Sequence, residues 1–93
     1  MFKINEYFDG NVKSIAFENA GGHATIGVMA PGKYEFNTST VEHMTVTSGT
    51  LTVLQPGESE WKDFKGGESF IVDKGSTFKV NVKEPTAYIC LYK

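Results

Sequence analysis

The sequence predicts an all-β fold in one small domain, and three observations predict it. Apolar residues alternate with polar ones at period two along most of the chain, and no segment sustains a period near 3.6. Gly, Pro, Asn, Asp and Ser interrupt the alternation at short intervals, as tight turns between short strands require. The chain has 93 residues, which is one domain and no more.

Taken in order, the alternation places strands near 11–18, 23–30, 33–38, 41–48, 50–55, 61–64, 69–72, 77–83 and 86–92. The turns between them fall at Asn19–Gly22, Pro31–Gly32, Ser48–Gly49, Pro56–Ser59, Lys65–Gly67 and Asp73–Ser76. Many short strands with such turns make a sandwich or barrel. The first ten residues are polar but carry Tyr7 and Phe8, aromatic rings expected to pack on this chain or on a partner. No linker, repeat or low-complexity tract divides residues 1–93.

Composition narrows the function classes. All nine basic residues are Lys, and the formal net charge is −2. Arg is the usual residue for bidentate contacts to phosphate and to guanine edges, so its absence argues against a reader of nucleic acid. The weak net charge recruits neither nucleic acid nor membrane. The lone cysteine, Cys90, can form no disulfide within the chain, which fits a reducing compartment. The N-terminal stretch carries charges where a signal peptide needs an apolar run, and no apolar stretch approaches a membrane-spanning length. A cytoplasmic location is the expectation. A domain of this size buries only roughly 60–65% of the surface its unfolded chain exposes, so a homodimer is expected as well.

Side chains alternate across a strand, so the faces can be read. Tyr34, Phe36 and Thr38 share one face. Glu42 shares a face with Met44 and Val46, which should point inward. Phe78, Val80 and Val82 share one face, and Tyr88, Cys90 and Tyr92 share one face with Ile89 and Leu91 on the other.

Two spacings then become recognisable. Metal cupins carry G-x5-H-x-H-x(3,4)-E-x6-G, and here Glu42 is followed by six residues and Gly49, with Phe36 and Thr38 at the two His positions. Their second motif is G-x5-P-x-G-x2-H-x3-N. Gly67, Asp73, Gly75, Phe78 and Val82 reproduce its spacing, with Phe78 in place of the third His. The skeleton is that of a single-domain, jelly-roll cupin-type barrel without its metal ligands. No metal and no cofactor are expected. His23 and His43 lack ligand spacing and read as surface histidines.

The wider pattern covers nearly the whole chain. NEYFDGNVKSIAF, GVMAPGKYEFNTSTVEHMTVTSGTLTVL, a later Trp followed by GGESFIV, and EPTAYICLY closely resemble the pyrimidine/purine nucleoside phosphorylase family of small cupins. Asp73-Lys74-Gly75 stands where a Pro-Gly pair is common. The resemblance implies phosphorolysis of purine and pyrimidine nucleosides to free base and (deoxy)ribose 1-phosphate, with phosphate as co-substrate. Without it the residues support a small β-barrel with an inward carboxylate, so a non-enzymatic small-molecule-binding cupin is the alternative.

Glu42 is the first catalytic candidate. A carboxylate inside the barrel can hold ribose hydroxyls or steady positive charge developing at C1′. The alternative is a relic ligand position at the rim. Tyr34 and Thr38 are the second candidates, through a phenol and a hydroxyl that can meet sugar or phosphate oxygens. Phe36, Met44, Phe78 and Tyr88 can form an apolar slot for the base, since an aromatic face stacks on any base, or can be plain core. Lys13, in Val12-Lys13-Ser14, is the first candidate for phosphate, and a solvated surface lysine is its alternative. Cys90 reads as a buried structural thiol and Trp61 as a packing or interface anchor.

Overall fold

A computed structural model describes residues 2–93. Ten strands follow one another: β1 (Lys3–Tyr7), β2 (Val12–Asn19), β3 (Gly22–Met29), β4 (Gly32–Asn37), β5 (Glu42–Ser48), β6 (Thr50–Leu54), β7 (Lys62–Lys65), β8 (Ser69–Val72), β9 (Thr77–Val82) and β10 (Thr86–Tyr92). Nine of these lie within a residue or two of the strands read from alternation. The unexpected one is β1. Its sequence, KINEY, is too polar to signal a strand, and it forms because every residue of it pairs antiparallel with β2, from Lys3↔Ala16 to Tyr7↔Val12.

The strands make two antiparallel sheets. The larger has the order β1-β2-β3-β10-β5-β8 and the smaller β4-β9-β6-β7. The chain changes sheet between β3 and β4, β4 and β5, β5 and β6, β7 and β8, β8 and β9, and β9 and β10. This is the expected jelly-roll. Its ladders remain two facing sheets and do not join into one closed barrel.

The core lies between the sheets. Val12, Met29, Met44, Val46, Phe70, Val72, Tyr88 and Cys90 point in from the larger sheet. Tyr34, Leu51, Val53, Phe78, Val80 and Val82 point in from the smaller. Burying residues of this size stabilises by roughly 1.5–3 kcal/mol each, and this interior is what holds two otherwise separate ladders face to face.

A buried threonine ties the β5–β6 crossing to the start of β10. Thr86 is fully buried. Its hydroxyl donates to carbonyls of Glu84 and Thr50 at 2.9 and 3.1 Å and accepts the Thr50 N–H at 3.2 Å. Beside it Gly49 has φ 95°, and a Cβ there would sit 2.5 Å from the Thr86 hydroxyl, so only glycine suits the sharp β5–β6 passage.

Candidate active site

One cavity of about 520 Å³ opens between the sheets, in the 300–1,000 Å³ range typical of small-molecule sites. Its lining draws on β1, β2, β3, β5 and β10 of the larger sheet and on β4 and β9 of the smaller. The larger sheet contributes Tyr7, Ser14, Met29, Glu42, Met44, Tyr88, Cys90 and Tyr92. The smaller contributes Phe36 and Phe78, with Glu35 and Asn37 at its rim. Phe8 and Ser39 close the circle from adjoining turns.

Glu42 begins β5 and is half-buried. Strand alternation sends it to the same side as Met44 and Val46, as the sequence indicated. Burial raises its carboxyl above the ordinary 4.5, and a hydrogen bond from the Cys90 thiol, Sγ to Oε1 at 3.6 Å, works against that rise. The thiol is itself pushed up to about 12, first by burial and then by the neighbouring Glu42 charge. A thiol so held stays protonated and serves as a donor, not a nucleophile. The Tyr88 phenol is also raised to about 12, mainly by burial. Tyr92, raised chiefly by burial too, has its hydroxyl 2.9 Å from that of Thr25.

The aromatic wall is continuous. Phe36 stacks on Phe78 with centroids 5.5 Å apart, and Phe8 meets Phe36 edge-on at 5.6 Å and Tyr34 at 5.0 Å. All four residues expected to form an apolar slot, Phe36, Met44, Phe78 and Tyr88, line this one cavity.

Tyr34 and Thr38 are not among the lining residues. Both are buried, with hydroxyls committed to backbone carbonyls. Tyr34 donates to the Ala30 carbonyl at 2.6 Å. Thr38 donates to the Asp73 carbonyl at 2.6 Å and accepts the Ser76 N–H at 3.0 Å, fastening the β4–β5 connection to the β8–β9 turn. Lys13 is also outside the lining. Alternation along β2 turns Ser14 inward and Lys13 out to solvent, where its ammonium lies 3.7 Å from Glu6. Trp61 and both histidines stand outside the lining as well.

Several lining residues escaped the sequence reading. Tyr7 and Phe8 were expected to pack but were not assigned to the cavity. Phe8 and Asp9 take φ 54° and 57°, with the Gly10 N–H bonded to the Tyr7 carbonyl at 3.2 Å. A phenylalanine in the left-handed region costs about 1–3 kcal/mol, offset here by its contacts with Tyr34 and Phe36. Gly27 was also missed. A Cβ there would fall 2.6 Å from the Tyr88 hydroxyl and 2.8 Å from the Lys13 carbonyl, so glycine makes the space in which the Tyr88 phenol lies across β3. Ser14, Asn37 and Ser39 carry no sequence signal of their own, because lone Ser and Asn are common at strand ends and turns.

The residues at the metal-cupin ligand positions do not fit a metal. Phe36 and Phe78 have no donor, the Thr38 hydroxyl is held by the backbone, and Glu42 alone remains. Among the described residues no three His, Cys, Asp or Glu side chains converge as a ligand set.

Comparison with known proteins agrees with this architecture. Residues 2–92 match the family model described as pyrimidine/purine nucleoside phosphorylase. The chain is 60% identical over 92 residues to a pyrimidine/purine nucleoside phosphorylase of Pseudoalteromonas atlantica, covering 99% of each. A crystal structure of a Vibrio parahaemolyticus protein of unknown function superposes with TM-score 0.94 at 46% identity, covering 97% of this chain and 96% of that one. An RmlC-like cupin from Shewanella frigidimarina superposes with TM-score 0.75 at 20% identity, over 96% of this chain and 80% of that one. That last likeness is one of fold and identifies the jelly-roll as a cupin.

Proposed function

The chain belongs to the pyrimidine/purine nucleoside phosphorylase family, and we propose that it is itself a nucleoside phosphorylase, a pentosyltransferase whose reaction takes place in the cavity between the sheets. The observation that carries this reading is the half-buried Glu42 carboxylate facing an aromatic slot in a cavity large enough for a nucleoside. The base stacks between Phe36 and Phe78 on one side and Met44 and Tyr88 on the other, contacts that tolerate any base because they use its π-face. The ribose lies toward Glu42. A phosphate oxygen forms a bond to C1′ as the C1′–N bond breaks. The electron pair leaves with the base nitrogen, which takes a proton from water at the open mouth.

Positive charge develops at C1′ along this path, and an ionised carboxylate in a partly dry site favours it. Phosphate is the harder problem, since no lysine lines the cavity and Glu35 and Glu42 both do. Neutral donors can hold an anion, and Ser14, Asn37 and Ser39 supply hydroxyl and amide hydrogens there. Asn37 already accepts a hydrogen bond from the Thr77 hydroxyl at 2.7 Å, which fixes its oxygen and leaves its NH2 to donate. Tyr34 and Thr38 serve as scaffold in this reading. The enzyme works without a metal or organic cofactor, and the residues at the metal-cupin ligand positions, which do not fit a metal, support the first part of that reading. It acts in the cytoplasm in nucleoside salvage, as a homodimer. No helix among the described residues is long and apolar enough to cross a membrane.

The test incubates the purified protein with inosine or uridine and follows free base by chromatography, with and without phosphate, alongside elemental analysis. Base should appear only with phosphate, with no stoichiometric metal. Base released equally fast without phosphate would make the protein a hydrolase. Saturable binding with no turnover would make it the binding cupin of the alternative reading.

A further inference from the structure

The outward face of the larger sheet is apolar where a solvated antiparallel sheet is normally polar. Strand register aligns four isoleucines in one row across four strands: Ile4 opposite Ile15, Ile15 opposite Ile26, and Ile26 opposite Ile89. The row continues through Thr45 to Ser69. Ile4, Ile15 and Ile26 are 67%, 46% and 50% exposed. The neighbouring row on one side runs Phe17, Ala24, Leu91, His43 and Ile71, and on the other side Val28 lies beside Ala87. Charge on these rows is confined to the border, where Glu6 and Lys13 pair with each other.

The smaller sheet shows what a solvated face looks like in this molecule. Its outward row is Lys33, Asn81, Thr52 and Asp63, and the next holds Glu35 opposite Lys79. The same chain, with the same alternation, has made one exterior polar and the other predominantly apolar.

We propose that the isoleucine face of the larger sheet is where a second copy of this chain docks, the two large sheets packing face to face about a two-fold axis. This rests on the homodimer reading above and specifies its surface. A two-fold interface brings one patch onto itself, so a patch of net charge would repel its own copy. The uncharged row meets mainly the isoleucines of its copy, its Thr45 and Ser69 hydroxyls bond to each other, and the Glu6–Lys13 pair cancels at the rim. The area suffices. Six strands about 4.8 Å apart and three rows of side chains give a footprint on the order of 600 Å², whose accessible surface approaches the ~800 Å² per partner of a stable interface. Packed sheets lie about 10 Å apart with strands inclined by about 30°, and β-branched side chains interdigitate well at that distance. The cavity opens on the other side of this sheet, between the two sheets, so docking here leaves its mouth free.

Sedimentation equilibrium of the full chain tests this, with circular dichroism to follow the fold. The wild type should be a dimer at micromolar concentration. Ile26→Lys should weaken dimerisation at least about 100-fold while keeping the β-sheet spectrum, and Ile15→Thr, a milder strand-compatible change, should weaken it on the order of tenfold. Thr52→Lys on the smaller sheet should leave the dimer intact. Should Ile26→Lys fail to fold, Ile15→Thr still decides the matter. A dimer indifferent to both isoleucine changes, or one broken by Thr52→Lys, overturns this surface alone. A monomeric wild type overturns the surface and the homodimer together, and neither result alters the outcome of the phosphorolysis assay.

Discussion

The two sheets face one interior but bring different chemistry to it. At the cavity the larger sheet presents a carboxylate, a thiol, three phenols and the Ser14 hydroxyl. The smaller presents the rings of Phe36 and Phe78, with Glu35 and Asn37 at the rim and, behind the rings, hydrocarbon and the Tyr34 phenol, which the backbone holds. The difference teaches a division of labour. In the proposed reaction the positive charge developing at C1′ is met on the larger sheet, where burial and the Cys90 hydrogen bond tune Glu42, and the base is held against the rings of the smaller, whose carboxylate Glu35 stays at the rim. The exteriors are reversed, polar on the smaller sheet and apolar on the larger.

The largest effect that tests this division belongs to Glu42→Gln. The change keeps shape and hydrogen-bonding capacity but removes the charge, so kcat should fall by roughly 10²–10³. Its pH dependence sharpens the point. Burial raises the Glu42 carboxyl, so the wild-type rate should fall with decreasing pH along an acid limb centred above 4.5, a limb the Gln variant lacks. Stability should move the other way. A carboxyl raised by folding stabilises only while protonated, and that contribution is lost as pH rises through its raised value. The Gln variant should therefore melt at or above the wild type at neutral pH, with the gap closing in acid. A Gln variant with wild-type kcat would break the comparison.

A smaller effect is expected on the other sheet. Phe36→Leu keeps an apolar side chain but removes the stacking face against Phe78. KM for nucleoside should rise on the order of tenfold, with kcat much less affected, as for lost binding shared by ground and transition states. A fall in kcat as large as that of the Glu42 variant would deny the separation of roles.

The smallest effect should come from Lys13→Ala. The Lys13–Glu6 pair is exposed, and such pairs contribute about 0–1 kcal/mol. Stability and phosphate KM should change little, whereas Ser14→Ala, one residue on but facing the cavity, should raise the phosphate KM several-fold. The reverse ranking would return phosphate to the outer side of β2.

Much of this was legible in the residues. Period-two alternation determined nine of ten strands and the inward set Glu42, Met44 and Val46, because a strand's side chains can point only two ways, and the cupin spacing located the lost metal ligands at Phe36, Thr38 and Phe78. What alternation leaves open is which of two polar neighbours meets the cavity and what a buried hydroxyl touches once inward. Tertiary structure decided that Ser14 and not Lys13 turns in, and that the hydroxyls of Tyr34 and Thr38 end on carbonyls of Ala30 and Asp73. It made β1 a strand by supplying a partner for five residues with no apolar signal of their own. It also gathered the isoleucines of β1, β2, β3 and β10 into one row, a matter of register between strands that lies between segments of the chain and not within any one of them.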